Sequence, residues 1–406
     1  MTQDLSMPRT GASLSARALL PTRDANEARS TTRLASIDQL RGLAIVFMAL
    51  DHVRDYFTSA HFSPTDLSKT TVALFLTRWV THFCAPIFVF LAGVSARLMS
   101  QHVSRGALSR FLLGRGLWLV VLEFTVVTFL WSFNFEYRMG LVMQVIWAIG
   151  MSMCALAALV WLPAWAIGAL GAVMIAGHNL LDPIRPQALG SLRHLWSVLH
   201  VQGPIPIGFV HYPLVPWVGV MAVGYASGAM YGYDAQRRQR ITVLLGSTLT
   251  AGFIALRLLN VYGDPVPWKY QPDALFTVLS FLNVSKYPPS LAYLLMTLGP
   301  ALLVLAWLER GRMPFATVFR TFGRVPLFAY VVHLALAHLL AGAAALAMGF
   351  GTSVLTSFFV GFPKAWGFGL VGVYLAWLVV VAMLYPACLW FAELKRRKRS
   401  WWLAYL

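Results

Sequence analysis

Ser36-Ile37-Asp38-Gln39-Leu40-Arg41-Gly42 opens an apolar segment that closes on Asp51-His52-Val53-Arg54-Asp55. The next apolar segment carries Arg78-Trp79-Val80-Thr81-His82. Polar chemistry therefore sits where lipid-compatible residues are expected. Ionisable groups inside membrane segments are costly and by default mark a functional site. Two consecutive segments that each hold an arginine and a histidine are not explained by packing alone.

Outward from this stretch the chain is strongly apolar. Hydrophobic residues make up 58% of its 406 residues and charged ones 12%, against about 25% charged in soluble domains. Mean hydropathy is +0.67. The net charge of +17 does not point to nucleic acid. The basic residues fall in short segments between apolar runs, as the positive-inside rule predicts for cytoplasmic loops. Cys84, Cys154 and Cys388 all lie in apolar segments, so neither a disulfide framework nor a zinc site is expected. No metal is expected. Residues 1–33 are rich in Ser, Thr, Arg and Ala without the apolar core of a signal peptide, and read as a disordered cytoplasmic tail. Residues 34–392 then form one membrane domain, and residues 393–406 a basic cytoplasmic tail.

A bilayer core needs about 20 apolar residues per helix. Ten spans are expected, over 39–57, 71–99, 111–133, 140–161, 163–181, 207–231, 241–262, 288–308, 325–349 and 366–391. The fold class is all-α, a polytopic membrane protein with both termini cytoplasmic. Arg105 and Arg110, Arg237, Arg238 and Arg240, and Arg310, Arg312 and Arg320 all fall on the side of the termini. Residues 58–70, 182–206, 263–287 and 350–365 form the outer loops, and the two longest can cover a cavity.

Depth sharpens the site. Arg41 and His52 are eleven residues apart, about three turns and about 16 Å along one helix face. His82 lies at a similar level in the antiparallel second span, which predicts that the two imidazoles approach each other. Arg78 and His82 are four apart on one face. Asp55, three residues after His52, can orient the imidazole, and Asp51 lies four before Asp55. A positioned histidine beside a hydroxyl or amine is a general base. Asp38 with Arg41 reads either as a helix cap with an interfacial arginine or as an anion site. Lys286 and Tyr287 at the outer mouth of the eighth span, with Trp79, are candidates for contacting an acceptor. Glu123 sits mid-span and needs a partner or water. His333 and His338 are five apart and diverge by about 140°, so they do not form a one-face metal pair. His211 reads as part of a hinge.

The run Arg33–Ala44 with the polar end of the first span resembles the start of the heparan-alpha-glucosaminide N-acetyltransferase catalytic family. So do Pro86–Gly93, Tyr212–Gly219 with Gly224-Tyr225, Lys286–Ser290, and Phe322–Pro326 leading to His333. The pattern Asp38, Arg41, Gly42, His52 is also similar to the membrane acyltransferase-3 group, in which a histidine at that spacing is catalytic. The resemblance implies transfer of an acetyl or acyl group from cytoplasmic acetyl-coenzyme A to a hydroxyl or amine of an extracytoplasmic sugar or glycan, directly or through acetyl-histidine. It implies a multi-pass protein of the cell membrane, the inner membrane of a bacterium. Expected partners are membrane lipids, the acceptor and a second copy of the chain, and not nucleic acid. His52 stands where the family has asparagine, His61 is the nearest counterpart of the family's catalytic histidine, and His82 falls where the family often has an acidic residue. The expected base is His52, His61 or His82, oriented by Asp51 or Asp55, with Arg41, Arg78 and Asp38 at the donor. The rival reading is a proton-coupled small-molecule transporter.

Overall fold

A computed structural model describes residues 23–135 and 140–398, with side chains from residue 35 onward. The chain is a helical bundle. Eight helical stretches are long and apolar enough to cross a membrane: Val72–Met99, Arg105–Ser132, Ala164–Leu181, Leu214–Gly232, Ala235–Leu259, Leu291–Leu308, Pro326–Ala347 and Leu370–Arg397. Two of the ten expected spans fall short of that measure. The first lies within α1 (Arg23–Phe57), whose ends are polar. The fourth is α6 (Val145–Leu159), only 15 residues long, because the chain before it is extended as β1 (Leu141–Met143). Helix α1 starts at Arg23, inside the stretch expected as a disordered tail; residues 1–22 and 399–406 lie outside the described residues.

The second span is broken into α2 (Val72–Thr81) and α3 (Cys84–Met99). Pro86 explains the break. It has no N–H to return to the carbonyl four residues back, at His82. Tyr293, in α12 (Leu291–Leu308), donates its hydroxyl to that carbonyl at 2.7 Å. A backbone acceptor freed inside an apolar bundle is thus satisfied by a neighbouring helix. The third span runs as α4 (Arg105–Leu122), a π-helical turn Glu123–Val127, and α5 (Thr128–Ser132). Glu123 Oε2 accepts the Trp147 backbone N–H at 2.9 Å. The buried carboxylate thereby caps the positive end of α6.

Glycines set the closest helix crossings. Helix α13 (Ala316–Arg324) lies across α1 so tightly that a Cβ on Gly42 would overlap the Phe319 backbone, and one on Gly323 the Asp38 backbone. Helix α9 (Leu214–Ser227) meets α3 in the same way, Gly93 against Met221 and Gly224 against Phe90. Just before the N-terminus of α6, β1 pairs in parallel with β3 (Gly208–Val210), which pairs antiparallel with β2 (Gly203–Ile205). The remaining helices are α7 (Ala164–Gly177), α8 (Arg193–Leu199), α10 (Ala235–Leu259), α11 (Ala274–Leu282), α14 (Pro326–Ala347) and α15 (Leu370–Arg397). The carbonyls at the end of α1 are satisfied from the segment before α15: Trp366 Nε1 donates to Tyr56 O at 2.8 Å and Phe368 N to Phe57 O at 2.7 Å. Leu113, Leu117 and Val121 on α4, Leu244 and Leu258 on α10, and Leu375 and Leu378 on α15 are exposed, as lipid-facing positions must be.

Two expectations follow from this packing. Gly42→Val and Gly323→Val each force α1 from α13, and overpacking of this kind costs about 1–3 kcal/mol; thermal melting in detergent should show a clear drop for both, and unchanged melting would contradict the crossing. Tyr293→Phe leaves the His82 carbonyl without its donor, at a cost of about 1–3 kcal/mol, read in the same assay.

Candidate functional site

One stripe of α1 lines a cavity of about 540 Å³ in the bundle: Asp38, Arg41, Ile45, Met48 and His52. They recur at spacings of three and four, which keeps them on one helix face. Helix α3 faces them with Ala85, Phe88, Ala92, Ser95 and Met99. The middle of the cavity is apolar and its two ends are polar.

At one end Arg41, Arg115, Arg324 and Lys395 line the cavity with a single carboxylate, Asp38. Arg41 Nη1 stands 3.3 Å from Asp38 Oδ1, and Nη2 donates to the Leu91 carbonyl at 3.3 Å and to Ser95 Oγ. The cluster carries more positive than negative charge, which suits an anionic group.

At the other end lie Asp51, His52, Thr81, Tyr212 and Lys286. Asp51 is held by its neighbours. Arg78 Nη1 donates to Oδ2 at 2.5 Å and to Oδ1 at 2.8 Å, Thr81 Oγ1 donates to Oδ1 at 2.8 Å, and Arg54 Nη1 pairs with Oδ1 at 2.7 Å. Arg54 also donates to Asp55 at 2.6 Å. Neither carboxylate therefore orients the His52 imidazole, contrary to the expectation for Asp51 or Asp55. Each is drawn to a guanidinium, which offers a charge-assisted bond that a neutral ring does not.

His52 is oriented instead by His333 of α14. His52 Nδ1 lies 2.8 Å from His333 Nε2, and the ring planes are within 13° of parallel with centroids 4.9 Å apart. His333 Nδ1 lies 2.8 Å from the Ala329 carbonyl. A carbonyl only accepts, so His333 Nδ1 carries the proton. His333 is fully buried, where an unpaired charge is costly, so the neutral ring offers its Nε2 lone pair to His52 Nδ1–H. The lone pair of His52 then sits on Nε2. Trp131 and Tyr330 meet the His52 ring edge-on at 5.0 and 5.9 Å, completing its cage.

The other expected residues spread out. His82 is buried against Tyr293, with ring centroids 5.6 Å apart, and does not line the cavity. The expected His52–His82 approach is replaced by His52–His333, because the break at Pro86 turns His82 toward α12. His61 is exposed in the loop after α1, its Nε2 3.1 Å from the Lys364 carbonyl. Trp79 is half-buried and donates to Met296 Sδ at 3.2 Å. Tyr287 stands beside the cavity wall on His211, centroids 4.1 Å apart. Burial, with the Lys286 and Arg78 charges, pushes the His211 imidazole down to about 4, and Gln202 Nε2 lies 2.7 Å from its Nδ1. His333, Tyr330, Arg324, Arg115 and Lys395 are cavity or cage residues that spacing arguments missed. The one available signal was that Gly323-Arg324 and His333 belong to a single motif-bearing stretch.

The heparan-alpha-glucosaminide N-acetyltransferase catalytic family profile matches residues 33–258. No curated protein matches the chain. The matched region contains Asp38, Arg41, Asp51, His52 and Arg78, together with the paired glycines Gly93 and Gly224, and spans more than half of the sequence. With a helical membrane bundle enclosing a cavity that is basic at one end and holds an oriented histidine at the other, the chain belongs to the heparan-alpha-glucosaminide N-acetyltransferase catalytic family of membrane acetyltransferases.

Proposed function

We propose that this protein transfers an acetyl group from cytoplasmic acetyl-coenzyme A to a hydroxyl or amine of an extracytoplasmic sugar, with His52 as the base. The observation that carries the reading is the His52–His333 pair, which leaves a lone pair on a cavity-lining imidazole. The positive-inside rule puts the basic end in the cytoplasm. Arg41, Arg115, Arg324 and Lys395 fit the phosphates of coenzyme A there. The apolar middle of the cavity fits its thin arm, which must cover the distance of about 16 Å from Arg41 to His52.

His52 Nε2 takes the proton of the acceptor as its oxygen or nitrogen attacks the thioester carbonyl. Lys286, a buried ammonium in the same wall, balances the developing oxyanion. His52 then returns the proton to the departing thiolate, so the imidazole ends neutral. His333 holds the tautomer throughout. Arg78 is a positioning residue: its charge is committed to Asp51. The acceptor reaches His52 from the outer side, past Tyr212 and Lys286.

The test is acetyl transfer to amino sugars by purified protein in detergent. His52→Ala should lower kcat by about 10²- to 10⁴-fold, the usual worth of a general base, whereas His61→Ala should keep near-full activity. The reverse pattern would move the base to His61 and end this reading. Arg41→Ala and Arg324→Ala should raise KM for acetyl-coenzyme A more than they lower kcat, as loss of binding common to ground and transition states requires. A change in kcat alone would contradict a donor-binding role for the basic end.

A further inference from the structure

A second group of ligand-type side chains lies outside the cavity, beside the segment Lys286–Ser290. His178 caps α7, Asp182 caps the short 3-10 turn His178–Leu181 that follows, and His200 caps α8. One donor atom from each lies within 4.8 Å of the other two. His178 and His200 are 2% and 0% exposed. His200 Nε2 is 3.1 Å from Asp182 Oδ1. Both ring nitrogens of His178, and Nδ1 of His200, are buried without a hydrogen-bond partner of good geometry, although the Pro289 backbone faces His178. Such orphaned buried nitrogens cost free energy, and an ion is one of the few things that repays them.

We propose that His178, Asp182 and His200 bind a divalent transition-metal ion of the Zn2+ type, which fastens the outer segment 182–200 to the end of α7 behind the Lys286 wall of the cavity. Two imidazoles and one carboxylate are donors that suit Zn2+ and disfavour Mg2+ and Ca2+. A tetrahedral ion with bonds of about 2.0–2.1 Å places its ligands about 3.3 Å apart. The donors stand within 4.8 Å of one another, so binding draws the His178 and His200 rings and the Asp182 carboxylate together by small side-chain rotations. The groups around the donors already fix them. Asn179 Nδ2 donates to Asp182 Oδ2 at 2.8 Å, while Asn179 Oδ1 accepts the Leu291 N–H at 2.9 Å. That second bond ties the site to the start of α12, directly after Lys286–Ser290. Trp196 packs on the His200 ring at 4.9 Å. A purely structural role accounts for the Asp182–His200 bond but leaves unexplained the ring nitrogen of His178 that does not face the Pro289 backbone. Three protein ligands leave the fourth position to water.

The site is independent of acetyl transfer, and binding tests it directly. Tag-free protein, stripped with a chelator in detergent, is titrated with Zn2+, with Mg2+ as the control. The expected result is about one Zn2+ per chain, as for one three-ligand site, with a rise in melting temperature that Mg2+ does not produce. His178→Ala and Asp182→Asn should abolish both. Asn179→Ala should weaken binding by about 10- to 100-fold, as loss of an outer hydrogen bond does. Co2+ in the unmodified protein supplies a readout that needs no variant: visible d–d bands of a four-coordinate N/O site are expected. No stoichiometric Zn2+ and no such bands, or binding unchanged in His178→Ala and Asp182→Asn, would overturn the proposal.

Discussion

A carboxylate inside an apolar bundle must be matched, and the matching of Asp51 organises the His52 end of the cavity. Arg78, Thr81 and Arg54 converge on it. Arg78 and Thr81 lock α1 to α2, and the two guanidiniums are committed to carboxylates. Removing one partner of such a buried pair costs about 3–5 kcal/mol, so the arrangement resists change. His52, the next residue, points about 100° away around the helix. It is free of that network and available to α14. One turn of α1 thus serves two purposes, an ionic clamp toward α2 and an oriented imidazole toward His333.

The cavity divides its work in the same way. Its basic end is built where α1, α13 and α15 meet, and the glycine crossing of α1 on α13 brings Arg324 beside Arg41. Its other end is built by α1, α14 and the segment before α12. Between them the wall is apolar, from Ile45 and Met48 across to Phe88 and Ala92. A charged headgroup is favoured at one end only, and a thin uncharged arm is favoured in between. Charge placement alone thus gives a long ligand one orientation.

Much of the fold was legible in the sequence, because lipid demands long apolar runs and these are hard to hide. The two spans that fell short of a long apolar helix did so for local reasons: polar ends on α1, and β1 consuming the start of α6. Asp38, Arg41, Asp51 and His52 were legible as a one-face stripe with polar ends. The partner of His52 was not, since His333 is 281 positions away and periodicity speaks only of one helix at a time. Spacing relates His333 only to His338 on its own helix, where the two diverge, and is silent about α1. The misplacement of His82 has a different cause. Depth arithmetic assumes a continuous helix, and Pro86 interrupts it four residues later. The roles of Gly42, Gly93, Gly224 and Gly323 were visible only as motif letters until the close helix crossings gave each a steric reason.

In the proposed reaction a thioester reaches His52 through this cavity. An experimental structure of the detergent-solubilised protein with coenzyme A bound tests it most directly. Phosphate density is expected among Arg41, Arg324 and Lys395, with the sulfur within hydrogen-bonding reach of His52 Nε2. Coenzyme A seated elsewhere, or a sulfur at His61 with the His52 end of the cavity empty, would contradict it.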